Sequence, residues 1–218
     1  MDIQEIILHE TARQDVYKIL ADCFHLPDKT IPTKLKTLAE QLSNLSSKAV
    51  SFVTHMRTEM DQIDDLEQLK VDFTRLFIGP YSLPAPPYGS IYLEKERKIM
   101  GDSTMDVKAR YENFGLGLSG GFKDVPDHIA VELEFMFFLI YKEIDATRAE
   151  EPKQACDILS GQKSFLYNHL NMWISDFAET VIEHSETDFY RHLAKATRQF
   201  ITEDLEYLNQ IHIPATHN

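Results

Sequence analysis

Apolar residues recur at helical spacing along most of the chain. Ala12, Val16, Ile19, Leu20, Cys23 and Phe24 form one stripe, Leu66, Leu69, Phe73, Leu76 and Phe77 a second, and Leu166, Leu170, Trp173, Phe177 and Val181 a third. Shorter stripes pass through Leu35, Leu38 and Leu42, and through Phe189, Leu193, Ala196 and Phe200 toward Leu205 and Leu208. No alternating run of β-branched residues bounded by a two-residue turn occurs, so a sheet has nothing to be built from. The pattern predicts an all-α fold of about nine helices. The absence of a fixed-period repeat argues against a solenoid of helix pairs.

The helix breakers sit in the middle. Seven of the eight glycines lie between Gly79 and Gly121, and four of the nine prolines fall within Pro80 to Pro87. Glycine and proline disfavour helix interiors by roughly 1 and 3 kcal/mol, so their scarcity on either side permits long helices there. A single domain is expected, with an N-terminal helical half over 1–114, a Gly-rich hinge over 115–126 and a C-terminal helical half over 127–218. Such a hinge between halves that pack on each other makes a domain-swapped homodimer an alternative to a monomer.

Composition narrows the class. A chain of 218 residues with 43% hydrophobic and 26% charged residues can bury a core without disulfides or metals, which excludes disorder and disulfide scaffolds. Cys23 and Cys156 are far apart and belong to no C-x-x-C pair, as in a reduced intracellular protein. The first residues, Met1 to Glu5, lack the basic and apolar regions of a secretory leader, so a cytoplasmic location is expected. The stretch Ile129 to Tyr141 is interrupted by Glu132 and Glu134 and is shorter than the ~20 residues of a bilayer span. The net charge of -13 repels nucleic acid and anionic lipid alike and favours a cationic partner. The excess concentrates in residues 129–218, with 15 acidic against 7 basic side chains.

Signatures of catalysis are missing. Gly115 to Gly120 satisfies G-x-G-x-x-G, but a helical segment precedes it where a dinucleotide site requires a strand. Neither H-E-x-x-H nor E-x-x-H occurs, and Cys23 lies on an apolar stripe as an inert thiol does. The chain reads as a non-enzyme without metal or cofactor. A nucleotide hydrolase using Gly115 to Gly121 as a phosphate loop is the enzymatic alternative, although it lacks a P-loop lysine. A general helical adaptor is a third class.

Three patches stand out. Phe73 to Pro80 ends a helix on an apolar face, with Gly79 as stop and Pro80 barring continuation. Leu83 to Tyr92 is a stiff proline segment bearing Tyr88 and Tyr92, suited to holding aromatic rings toward a peptide. Pro126 to Met136 opens a helix in which Asp127 is placed to cap, and His128 and Glu132 share a face at i, i+4.

Together these strings resemble the TorD/DmsD branch of the redox-enzyme maturation chaperones, a group that includes NarJ-like proteins. The carrying strings are Phe-x-x-Leu-Phe-x-Gly-Pro at Phe73 to Pro80, the run from Leu83 through Tyr92 to Gly101-Asp102-Ser103-Thr104, the Pro-Asp-His and Glu-Leu-Glu-Phe-Met strings, and Phe165-Leu166 with His169-Leu170 and Trp173. The second of these looks most like the DmsD members. The family's Glu-Pro before Asp-His is replaced by Asp124-Val125 with Pro126, and an aromatic that is often Trp is Tyr88. The resemblance implies a TorD-like all-helical cytoplasmic chaperone. It would bind the twin-arginine signal peptide of a molybdopterin oxidoreductase subunit and hold the apo subunit back until its cofactor is inserted. Weak guanine-nucleotide binding is suggested for relatives. A leader of two arginines followed by an apolar run needs an apolar groove near carboxylates. The expected site comprises Phe73, Leu76, Phe77, Pro86, Pro87, Tyr88, Ser90 and Tyr92 as the groove, with Asp127 and Glu132 meeting the arginines and His128 orienting Asp127.

Overall fold

The computed structural model describes residues 2–80, 82–94, 99–117 and 125–211. Among these the chain is helical throughout and contains no strand, only an isolated antiparallel bridge between Tyr88 and His128. Helix α1 (Ile3–Cys23) starts on a capping box, in which the Glu5 amide donates to Asp2 Oδ1 at 2.8 Å and the Asp2 amide to Glu5 Oε2 at 3.0 Å. Then come α2 (Ile31–Asn44), α3 (Val50–Met60), α4 (Glu67–Phe73), α5 (Gly89–Leu93), α6 (Asp102–Asn113) and α7 (Ile129–Arg148). The C-terminal helices are α8 (Pro152–Phe165), α9 (Asn171–His184) and α10 (Asp188–Gln210). Two turns are π-helical: Thr74–Ile78 extends α4, and Leu166–Leu170 joins α8 to α9 without a break. Counted as uninterrupted helical stretches, the described residues therefore form nine.

The apolar stripes become one continuous core. Val16, Leu20, Leu38, Leu76, Leu133, Leu170, Trp173, Phe177 and Phe200 all belong to it and are essentially solvent-free. Helix α1 packs most extensively along α7, and α10 lies against α9 and α3, so both sequence halves contribute to a single interior.

Polar residues fix the helix ends across long sequence distances. Buried Asp72 on α4 accepts hydrogen bonds from the Glu186 amide (3.1 Å), the Thr187 amide (2.8 Å) and the Thr187 hydroxyl (2.8 Å), which caps α10 from another helix. Deeper in, the Arg13 guanidinium forks onto Asp204 at 2.6 and 2.9 Å, reaches Gln162 Oε1 at 3.0 Å and pairs with Glu10. Tyr17 donates to Asp204 at 2.7 Å and Tyr207 to Glu10 at 2.7 Å, while Gln162 donates to Glu143 at 2.6 Å. This buried network ties α1, α7, α8 and α10 together.

Candidate functional site

The second patch of the sequence lies directly on the third. Backbone bonds from the Gly89 amide to the Asp127 carbonyl and from the Ile129 amide to the Pro87 carbonyl, both 2.9 Å, staple the proline segment to the start of α7. The Tyr88 and His128 rings meet edge to face at 5.4 Å between centroids. Gly89 lies so close to the interior that a Cβ would sit 3.1 Å from Trp173 Nε1 and 3.3 Å from Glu132 Oε1. Tyr92 stacks on Trp173 at 5.7 Å and 17°.

The first patch forms the adjoining wall. The π turn after α4 closes with a bond from the Gly79 amide to the Thr74 carbonyl at 2.9 Å, and Gly79 takes φ 87°, a conformation open to glycine. The wider turn leaves Phe77 facing Phe24 (6.1 Å), Phe73 (5.3 Å) and Tyr190 (5.7 Å). Between this wall and the stapled loop runs a cleft of about 330 Å³. Its floor is Phe24, Phe73 and Phe77, and Leu83, Tyr88 and His128 close one side. His25, Leu26 and Ile78 complete the lining, and Leu26 and Ile78 remain 54% and 60% exposed. Two large aliphatic side chains held open beside an aromatic floor make an apolar docking surface.

Of the residues expected at the site, Phe73, Phe77, Tyr88 and His128 line this cleft. Leu76, Ser90, Asp127 and Glu132 are completely buried beneath it, Pro87 is also buried, and Pro86 and Tyr92 are half-buried outside the lining. The cap of α7 differs from expectation too. His128 is the N-cap and its Nδ1 accepts from the Ala130 amide at 3.1 Å, whereas Asp127 reaches across to the Ser90 amide at 2.7 Å. Asp127 thus holds the loop, and the tight bridge to Tyr88 is what turns it away from the helix. Nor does Glu132 serve His128: its carboxylate accepts from Trp173 Nε1 at 3.1 Å and lies 2.7 Å from His169 Nε2. Burial, only partly offset by His169, raises the Glu132 pKa; burial would depress His169, but the neighbouring Glu132 carboxylate outweighs it and raises that pKa. The π turn Leu166–Leu170 is the element that supplies His169.

Phe24, His25 and Leu26 were not among the expected residues. Their signal in the sequence is Leu26, an aliphatic residue just beyond the end of α1 and followed by Pro27.

Other expectations concern chemistry. Helix α6 does precede Gly115, while residues 118–124, the rest of the Gly-rich segment and most of the expected hinge, lie outside the described residues. Burial pushes the Cys23 thiol up to about 12, so its reactive thiolate is suppressed. Among the described residues no helix is long and apolar enough to cross a membrane, and no group of three or more His, Cys, Asp or Glu could hold a metal ion.

Comparison with known proteins now fixes the kinship. The nitrate reductase delta subunit family model matches residues 29–179, which spans α2 through α8 and most of α9, including the stapled loop and the start of α7. The chain belongs to the nitrate reductase delta subunit family. Similar relatives within reach of this family include chaperone protein TorD of Aliivibrio salmonicida, 28% identical over 82% of this chain and 81% of the relative. TorD of Vibrio vulnificus is 25% identical over 94% of this chain and 99% of the relative. The Tat proofreading chaperone DmsD of Salmonella paratyphi A is 30% identical over 71% of this chain and 64% of the relative. A solved redox enzyme maturation protein from Archaeoglobus fulgidus shares the fold, with a TM-score of 0.53, 23% identity, and coverage of 87% of this chain and 93% of that one. The relatives of this member of the delta subunit family are thus chaperones of the TorD/DmsD kind and not enzymes.

Proposed function

We propose that the protein acts in the cytoplasm, where it binds the twin-arginine signal peptide of a molybdopterin oxidoreductase catalytic subunit. It holds that apo subunit until its cofactor is inserted. The observation that carries this reading is the cleft between the π turn after α4 and the loop stapled to α7, with an aromatic floor and exposed Leu26 and Ile78 at its rim. An apolar leader segment fits such a surface, since each buried leucine-sized side chain contributes about 1.5–3 kcal/mol. Tyr88 and His128 add flat, partly polar contact area at low entropic cost. Asp127 serves by positioning: it fixes the Ser90 amide and hence the loop that carries Tyr88.

Titration calorimetry with a synthetic leader of two arginines followed by an apolar run tests this. Tyr88→Ala and Ile78→Ser are each expected to weaken binding by about tenfold, in line with the loss of one buried anchor. Binding as tight as wild type by both Tyr88→Ala and Ile78→Ser removes the cleft from consideration. In cell extract, the client should be captured with its leader intact and lost when the leader is deleted.

A further inference from the structure

Asp127 and Glu132 are wholly covered by the loop, so a guanidinium could reach neither without the site opening. Exposed carboxylates occur instead around a second, larger groove of about 550 Å³. Its apolar floor is Pro27, Met60, Ile63 and Leu66, and its rim carries Asp28, Asp64, Asp65 and Glu67 against Lys29 and Lys70. Lys70 is already engaged by Glu67 at 2.8 Å, and Asp64 makes no hydrogen bond or ion pair among the described residues. The rim therefore has acceptors to spare for a cation.

Two separate chain segments run from this groove into the cleft. After α1, Phe24, His25 and Leu26 line the cleft, and the next three residues, Pro27, Asp28 and Lys29, line the groove. On α4 and its π turn, Leu66, Glu67 and Lys70 line the groove, and Phe73, Phe77 and Ile78 line the cleft on the turns that follow. The two depressions thus lie end to end along this helix. Leu66 and Phe77 are three turns apart, roughly 16 Å at helical rise. An extended peptide covers that distance in about five residues.

Building on the signal-peptide reading, we infer that the groove formed by the α1–α2 loop, the end of α3 and the start of α4 holds the basic end of the same leader whose apolar run fills the cleft. Its arginines meet Asp64, Asp65 and Glu67, and its direction runs from the groove toward Tyr88. Charge complementarity selects this occupant: an apolar floor alone would accept any greasy segment, whereas a rim of four carboxylates around it favours one that begins with cations. Because these carboxylates are exposed, the arginines keep part of their hydration, and the attraction is screened by salt.

The test is fluorescence anisotropy with two labelled peptides, one bearing two arginines ahead of an apolar run and one with both arginines changed to glutamine. The variant Asp64→Asn/Asp65→Asn/Glu67→Gln keeps the side-chain shapes at exposed positions, and its thermal midpoint is checked against wild type. It is expected to bind the arginine peptide about tenfold more weakly than wild type at low salt, to lose most of the salt dependence, and to bind the glutamine peptide as wild type does. Unchanged affinity and salt slope for the arginine peptide would overturn the groove assignment while leaving the cleft and its function standing. Failure of the wild-type protein to bind either peptide would overturn the signal-peptide reading, and this inference with it.

Discussion

Asp127 and Glu132 show how far a carboxylate's neighbours can redirect it. Both residues sit in a helix-start string that reads as a cap followed by an acid one turn on, and local geometry alone would aim them at the solvent or at His128. Instead Asp127 Oδ2 accepts from the Ser90 amide, and Oδ1 is buried without a hydrogen-bond partner among the described residues. Replacing Asp127 by alanine leaves the Ser90 amide unpaired in a dry site, at a cost of about 1–3 kcal/mol. Asparagine keeps the accepting oxygen and should be milder. Urea denaturation gives the difference, and hydrogen exchange at the Ser90 amide should speed up in the alanine variant while the core helices stay protected. The apolar residues were more legible. Phe73 and Phe77 carry the periodic stripe of their helix, and hydrophobic burial follows that stripe whichever neighbour covers it.

At the scale of elements, α10 depends on a residue that precedes it by more than a hundred positions. Thr187 is the N-cap by position, yet its own side chain does not cap, and the amides of Glu186 and Thr187 are satisfied by Asp72. Asp72→Ala should therefore destabilise the protein by about 1–3 kcal/mol, the cost of unpaired buried donors. Thr187→Ala also loses a bond to Asp72 but leaves both amides paired, so its effect should be smaller; paired thermal melts decide the order. The π turns belong to this scale as well. Stripes at Leu66 to Phe77 and Leu166 to Val181 predict helix correctly, but a period near 3.6 cannot distinguish a single widened turn from regular helix. That turn is what sets Phe77 in the cleft wall, and its counterpart sets His169 against Glu132.

Across the whole molecule, stability at the junction of α1, α7, α8 and α10 rests on charges that titrate in opposite senses. Burial would raise Glu10, but Arg13, with bonds from His9 and Tyr207, outweighs it and lowers the carboxyl from 4.5 to about 2. Glu143, pushed up mainly by burial and further by Glu10 against the opposing pull of Arg13, rises from 4.5 to about 8. The Glu10 contribution is present above 4.5 and fades as pH falls toward 2; that of Glu143 is full below 4.5 and lost as pH rises through about 8. Glu143→Gln should flatten the decline in urea midpoint between pH 5 and 9, since the amide cannot ionise. Arg13→Met, which strands Asp204 and Glu10, should cost about 3–5 kcal/mol by the same measurement. The sequence by itself determined the helical class and the apolar helix face that carries Phe73 and Phe77, because hydrophobic period and breaker placement are local properties of the chain. It also determined the family, because the strings that carry it are contiguous. Only the tertiary structure decided which carboxylates are covered and which are open, and that the α1–α2 loop joins the site. Burial and partner choice depend on elements distant in sequence, and no local pattern encodes how those elements meet.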